Sequence, residues 1–239
     1  MKKIIILFFV PLIASAQIGQ LKNLSNIKIP KITKLGALPD ISAGLKEALN
    51  NGITKQVSKL TNEDGFYKNE LVKIVLPSEL QKVDKTLRSL GMSNLADEGL
   101  KLLNRAAEDA VKEATPIFVD AVKNMTFSDA KTILMGNENS ATTYLETATS
   151  SALYDKFSPV IGTSLDKVNA DKIWAQMINK YNSIPLVKKV SPDLKDYVTK
   201  ETMKGVFKMV AVEEKEIRVN LKARTSPLLQ SIFALQDKK

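Results

Sequence analysis

The sequence contains no cysteine and no histidine. Without cysteine there is no disulfide, no thiolate nucleophile and no lipid-modified cysteine. A chain of 239 residues is long enough to bury a core without such cross-links. Without histidine the usual general base and the commonest metal ligand are gone, along with every Ser-His or Cys-His nucleophile pair. Zinc centres built on these ligands are excluded as well. Any chemistry would have to rely on carboxylates, lysine, tyrosine or serine. Aromatic residues make up only 6% of the chain, and no aromatic-basic recognition motif stands among them, so nucleic acid is not an expected partner. No Gly-rich phosphate loop of either common type occurs. No apolar run reaches the roughly 20 residues that a permanent membrane span requires.

What is present begins with an address. Met1-Lys2-Lys3 is followed by an apolar stretch from Ile4 to Ile13 and then by Ala14-Ser15-Ala16. These are the basic region, short apolar region and small-residue cleavage site of a secretory signal peptide. Residues 1–16 are therefore expected to be removed, leaving a chain that starts at Gln17 and has no transmembrane anchor. The formal net charge is +9, and losing Lys2 and Lys3 with the signal leaves +7. Such an excess keeps a protein in solution first, and it also favours anionic surfaces such as phospholipid headgroups.

Residues 17–39 carry Lys22, Lys28, Lys31 and Lys34 and no acid. Ile27-Lys28-Ile29-Pro30-Lys31-Ile32 alternates, and Pro30 argues against a central strand, so this reads as a basic extended leader. From Asp40 onward the apolar spacing is helical. The expected helices cover 41–60, 70–76 (helix or buried strand), 79–90 closed by Gly91, 94–114, 116–125, 127–135, 140–157, 159–168, 170–182, 192–219 with a break near 200, and 227–235. Thr115-Pro116, Ser158-Pro159, Ser191-Pro192 and Ser226-Pro227 each put a hydroxyl residue before a proline, the pattern of an N-cap followed by the first helical position. Thr126 with Asp129 forms a capping-box pattern, and Asn169 is a further cap candidate. Asp64-Gly65 marks a polar turn with Gly65 at positive φ. The expected architecture is all-α, a single domain over 40–236 with about nine to eleven helices.

Several strings then align with one family. Asn62-Glu63-Asp64-Gly65-Phe66-Tyr67, Leu87-Arg88-Ser89-Leu90-Gly91-Met92, Asn104-Arg105-Ala106-Ala107-Glu108 with Pro116-Ile117-Phe118, and Tyr181-Asn182-Ser183-Ile184-Pro185 occur in this order. Over roughly Asp40 to Phe233 the chain resembles the bacterial domain of unknown function 4197. That resemblance implies an exported, helical protein, and periplasmic location follows partly from it. It supplies no catalytic residue and no substrate.

Motifs of known chemistry fall short. Ser128-Lys131 and Ser164-Lys167 have the SxxK spacing of penicillin-recognising enzymes, but no K-T-G element accompanies them. Asn62-Glu63-Asp64-Gly65 has part of a calcium loop, yet Leu60 and Leu71 occupy positions that would need acids. Trp174 with Ile173, Met177, Ile178 and Tyr181 makes an amphipathic stripe of the kind that fills cores.

Charges on apolar helix faces are more informative. Leu95, Leu102, Ala106, Ala110 and Ala114 share a face with Glu113 at its edge, and Arg105 and Asp109 lie beside it. Met203, Val206, Phe207, Val210 and Ile217 share a face that contains Glu214. A buried carboxylate must be paired or protonated. Arg105, Glu113 and Glu214 are thus the candidate ligand-binding residues, with Arg105 or Arg88 as the cation that satisfies Glu113 or Glu214. The small residues Ala106, Ala107, Ala110 and Ala114 would allow close helix packing or floor a groove between helices. The resulting expectation is an exported binding or interaction module without catalysis, cofactor or metal, working on an anionic lipid surface or an envelope protein. The alternative is a carboxylate-dependent hydrolase or transferase in which Glu113 and Glu214 meet.

Overall fold

Asp40 accepts a hydrogen bond from the Ala43 N–H at 3.0 Å. It caps α1 (Ile41–Thr61), whose Leu45, Ala48, Leu49, Ile53, Val57 and Leu60 are buried at helical spacing. In this computed structural model the described residues are 40–77, 81, 85, 88, 89, 91, 93–167, 170–183, 185, 186 and 189–237. The expected signal peptide at 1–16 and the expected basic leader at 17–39 lie outside them, as do most of the helix expected at 79–90 and the cap candidate Asn169. The Trp174 stripe likewise lies outside what is described, apart from Ile178, which is buried. Gly91 has φ 79°, the left-handed conformation expected where a helix closes on glycine.

Seven further α-helices follow: α2 (Ser93–Val111), α3 (Ala114–Asn124), α4 (Phe127–Leu134), α5 (Ser140–Asp166), α6 (Ala170–Asn182), α7 (Leu194–Val219) and α8 (Pro227–Gln236). A 3-10 turn, Leu221–Ala223, joins the last two. No strand occurs among the described residues, so the fold is all-α, but the expected count of about nine to eleven helices is not matched among them.

Two differences account for this. Ser158-Pro159 does not start a helix: α5 runs straight through Pro159. Leu153, Phe157, Ile161 and Leu165 form one fully buried stripe across it, and that continuous packing overrides the proline's missing donor. Residues 70–76 form neither helix nor strand. A turn gives way to an extended stretch at 73–77, where Asn104 stands in for a neighbouring strand. Its Oδ1 accepts from the Ile74 N–H at 2.8 Å, and its Nδ2 donates to the Ile74 carbonyl at 2.9 Å.

The other helix starts sort by their caps. Ser226 accepts from Leu229 N–H with Pro227 at the first helical position, and the Thr126–Asp129 capping box closes reciprocally. Asp193, not Ser191, caps α7, which continues past 200 without a break. Glu113, not Thr115, precedes α3, and Pro116 falls inside the first turn, where a missing donor costs nothing. α2 ends at Val111, three residues earlier than expected.

The described residues all fall in one compact unit. Within it α7 packs against α1, α2, α5 and α6, while α1 also meets α3, α4 and α8, and α5 also meets α2, α3 and α4. Phe66, Phe118 and Phe157 sit at 0% exposure in the core, and Phe118 meets Phe207 edge-to-face at 6.0 Å. Ala106, Ala107, Ala110 and Ala114 are buried in the same core, so the small-residue seam is packing and not a groove. Leu102, expected on that face, is exposed; Leu103 takes its place.

Candidate functional site

The buried charges came first as site candidates, and each closes on protein groups. Glu214, 8% exposed, lies on the apolar face of α7 as expected. Its Oε1 accepts from the Ala141 N–H at 2.9 Å, and its Oε2 accepts from the Thr142 N–H and hydroxyl, both at 2.8 Å. These are orphan donors of the first turn of α5, where a carboxylate also meets the positive end of the helix dipole. Arg218, one turn on, donates to the same Oε1 and to the Ile133 and Leu134 carbonyls at the end of α4. One ion pair therefore caps the end of one helix and the start of the next. Arg224 does the same for α7 itself, donating to the Ile217 and Arg218 carbonyls and pairing with Asp237.

Arg105 belongs to a second network. It pairs with Glu108, Asp64 and Glu63, and Glu108 in turn accepts from the Phe66 and Tyr67 N–H groups at 3.0 and 3.3 Å. The bond to Glu108 raises the Arg105 pKa, against the opposing effect of burial. The bond from Lys68 holds the Asp64 carboxyl below its usual range, with Arg105 adding to it. This network fixes the turn after α1. Asp64, not Gly65, takes positive φ there, at 68°. Gly65 serves a different need: a Cβ on it would lie 2.5 Å from the Lys59 carbonyl oxygen and 2.6 Å from that of Leu60.

The cations expected beside the carboxylates are therefore different ones. Glu214 is paired by Arg218, Arg88 pairs with Asp97, and Asp109 pairs with Lys112. Glu113 is exposed, contrary to the burial its helical phase suggested, because α2 stops before it and the chain turns. Arg105, Glu113 and Glu214 share no bond, and Glu113 and Glu214 line separate cavities. The cavity beside Glu214 has a volume of about 30 Å³. That is far below the roughly 150 Å³ of a cavity that admits a benzene-sized ligand.

Glu113 instead lines an open groove of about 640 Å³ between α3 and α5. Pro116, Ile117, Ala121, Ala148 and Ala152 give it an apolar floor, and Asp120, Asn124, Tyr144 and Lys156 complete its walls. The volume lies within the usual range for small-molecule sites. The Tyr144 hydroxyl donates to the Ala121 carbonyl at 3.4 Å, and burial, with the Asp129 charge, pushes its pKa up. Tyr144 at the start of α5 thus meets the last turns of α3. Both helices line the groove along their length, so they run in opposite directions and Lys156 falls at the Glu113 end. Neither the Glu113 nor the Lys156 side chain makes a hydrogen bond or ion pair among the described residues. Beyond Tyr144, a second hollow of about 320 Å³ is lined by Asp129, Thr132, Asn137, Ser140 and Thr143.

Sequence reasoning singled out Glu113 but not its groove. Tyr144, Ala148, Ala152 and Lys156 recur every four residues, which puts them on one helix face. A row of small residues on an exposed face, flanked by one ring and one charge, was the available signal.

The family model described as "Protein of unknown function (DUF4197)" matches residues 37–234. No curated protein and no solved structure matches the chain.

Proposed function

This chain belongs to the DUF4197 family, and we propose that it is an exported binding module of the cell envelope whose ligand lies in the groove between α3 and α5. The observation that carries this reading is the groove itself. It pairs an apolar floor with an acid and a base, Glu113 and Lys156, that no group among the described residues satisfies. The buried charges, by contrast, are consumed in holding helix ends together. A ligand with an ammonium group, an anionic group and a small apolar body, such as a short peptide, complements this lining. Its ammonium would meet Glu113 and Asp120, its anion Lys156, and no bond would be made or broken.

Export, inferred from Met1 to Ala16, supplies the envelope location. Native mass spectrometry on protein purified gently from its own envelope tests the reading. A bound mass lost on denaturation, and absent from Lys156→Glu, supports it. A bound mass unchanged in Lys156→Glu and in Glu113→Lys would move the site elsewhere. A protein that carries no bound mass and takes up no short peptide would count against the reading.

A further inference from the structure

Helix α7 supplies much of the core with its inner face, and its outer face has a pattern that packing does not explain. At about 100° per residue, Lys204, Lys208, Val212, Lys215 and Val219 fall within an arc of about 80°. All five are exposed; Leu221 in the following 3-10 turn is exposed too, whereas Lys222 lines a hollow with Lys55, Glu213 and Glu216 on the neighbouring flank of α7. Val219 and Leu221 are 69% and 67% exposed, well beyond a half-covered core residue. From Lys208 to Val219 the row covers roughly 17 Å at 1.5 Å per residue.

We propose that this row is a docking face for an anionic phospholipid surface. Lysine ammonium groups at phosphate level, with branched apolar side chains between them reaching the acyl boundary, are the features of an interfacial helix. The charge balance fits. Glu201 is bonded to Lys204, Glu216 accepts from Asn220, and Glu138 meets Lys215 only at 3.4 Å. Lys208, at the middle of the row, has no ion-pair partner among the described residues. No helix among the described residues is long and apolar enough to cross a membrane, so this contact lies on the surface of the bilayer. Because the buried half of α7 anchors it in the core, the row is presented on a rigid element and needs no ordering on contact. The proposal is independent of the groove and its ligand.

The test is flotation of the full chain with vesicles of phosphatidylcholine alone and of phosphatidylcholine mixed with phosphatidylglycerol. Binding should appear only with the anionic vesicles and should weaken as salt rises. Each lysine removed from an anionic surface should cost about fivefold in binding. Lys204→Ala, Lys208→Ala and Lys215→Ala combined should therefore lose on the order of a hundredfold. Val219→Ser with Leu221→Ser should also weaken binding while leaving its salt dependence unchanged. All of these side chains are exposed, so unaltered thermal unfolding verifies the fold of the variants. A variant with Ala at Lys22, Lys28, Lys31 and Lys34 separates the contribution of the basic leader. Anionic binding that depends on the α7 residues sustains the proposal. Binding that the α7 variants retain in full, through the leader or otherwise, overturns it, as does the absence of vesicle binding by the wild-type chain.

Discussion

Arg218 and Glu214 lie one turn apart on α7 and close on each other, with Nη2 2.8 Å and Nε 3.0 Å from the same carboxylate oxygen. The pair is buried, yet neither member is there for the other alone. The carboxylate holds the first N–H groups of α5, and the guanidinium holds the last carbonyls of α4. Burying two charges is repaid only when the remaining donors and acceptors are also satisfied, and here the helix ends satisfy them.

Breaking one side should therefore be expensive. Glu214→Gln leaves Arg218 buried without its counter-charge, and Arg218→Met leaves Glu214 in the same state. Each should cost about 3–5 kcal/mol, seen as a fall of roughly 6–20 °C in thermal unfolding for a domain of this size. The double variant should cost less than the two single losses combined, because no lone charge remains. Calorimetry on the three variants checks this. Glu113→Gln, at an exposed position, should leave the transition where it is.

Gly65 and Gly99 should respond in opposite directions to alanine. At Gly65 the new methyl meets two backbone carbonyl oxygens, which cannot swing aside, and overpacking of this kind costs about 1–3 kcal/mol or more. At Gly99, inside α2, nothing lies within 4 Å of the added methyl. Helix propensity then predicts a gain of about 0.5–1 kcal/mol. Chemical denaturation of both variants gives the two signs.

Pro159→Ala should stabilise α5. Alanine restores an N–H where the helix has none, within a stretch already held by Phe157 and Ile161. The gain should be about 1–3 kcal/mol, since an interior proline costs about 3 and its removal also frees the unfolded chain. Hydrogen exchange should find a newly protected amide at position 159.

Acid should destabilise the fold through depressed carboxyls. Asp64 is lowered by the bond from Lys68, Asp129 by the bonds from Thr126, and Asp237 by the bond from Arg224. In Asp196 burial pushes upward, and the bonds from Lys200 and Tyr154 outweigh it. A group whose folded pKa lies below its unfolded value contributes fully above the unfolded value, near about 4 for aspartate. That contribution is lost as pH falls through the folded value. Thermal stability should stay level from neutral pH to about 5 and then decline. Lys68 and Lys200, raised by Asp64 and Asp196, predict the mirror loss above about pH 10. Asp129→Asn should flatten part of the acid decline.

The sequence carried most of the helices because apolar spacing is a local signal: α1, α4, α6 and α8 fall within one or two residues of their expected spans. It misled at Pro159, where four buried side chains at four-residue intervals outweigh a local breaker, and at 70–76, where the partners of the extended segment are distant side chains, Asn104 and Tyr197. The burial of Glu214 was legible from its own helix. Its partners were less so, for Ala141 and Thr142 lie on another helix, although Arg218 stood in plain view one turn away. The groove was the least legible feature. It depends on how α3 and α5 lie against each other, which no single stretch of sequence encodes.

The proposed function amounts to a division of labour: buried charges hold the helix ends, and the groove between α3 and α5 would hold the ligand. Native mass spectrometry paired with thermal unfolding on Glu214→Gln and Ala152→Phe tests it most directly. Ala152 is exposed on the groove floor, so a phenyl ring there fills the groove and leaves the core alone. Ala152→Phe should unfold like the wild-type chain but lose the bound mass, whereas Glu214→Gln should unfold earlier and still carry it. A bound mass that survives in Ala152→Phe and disappears in Glu214→Gln would contradict the account and put the ligand among the buried charges.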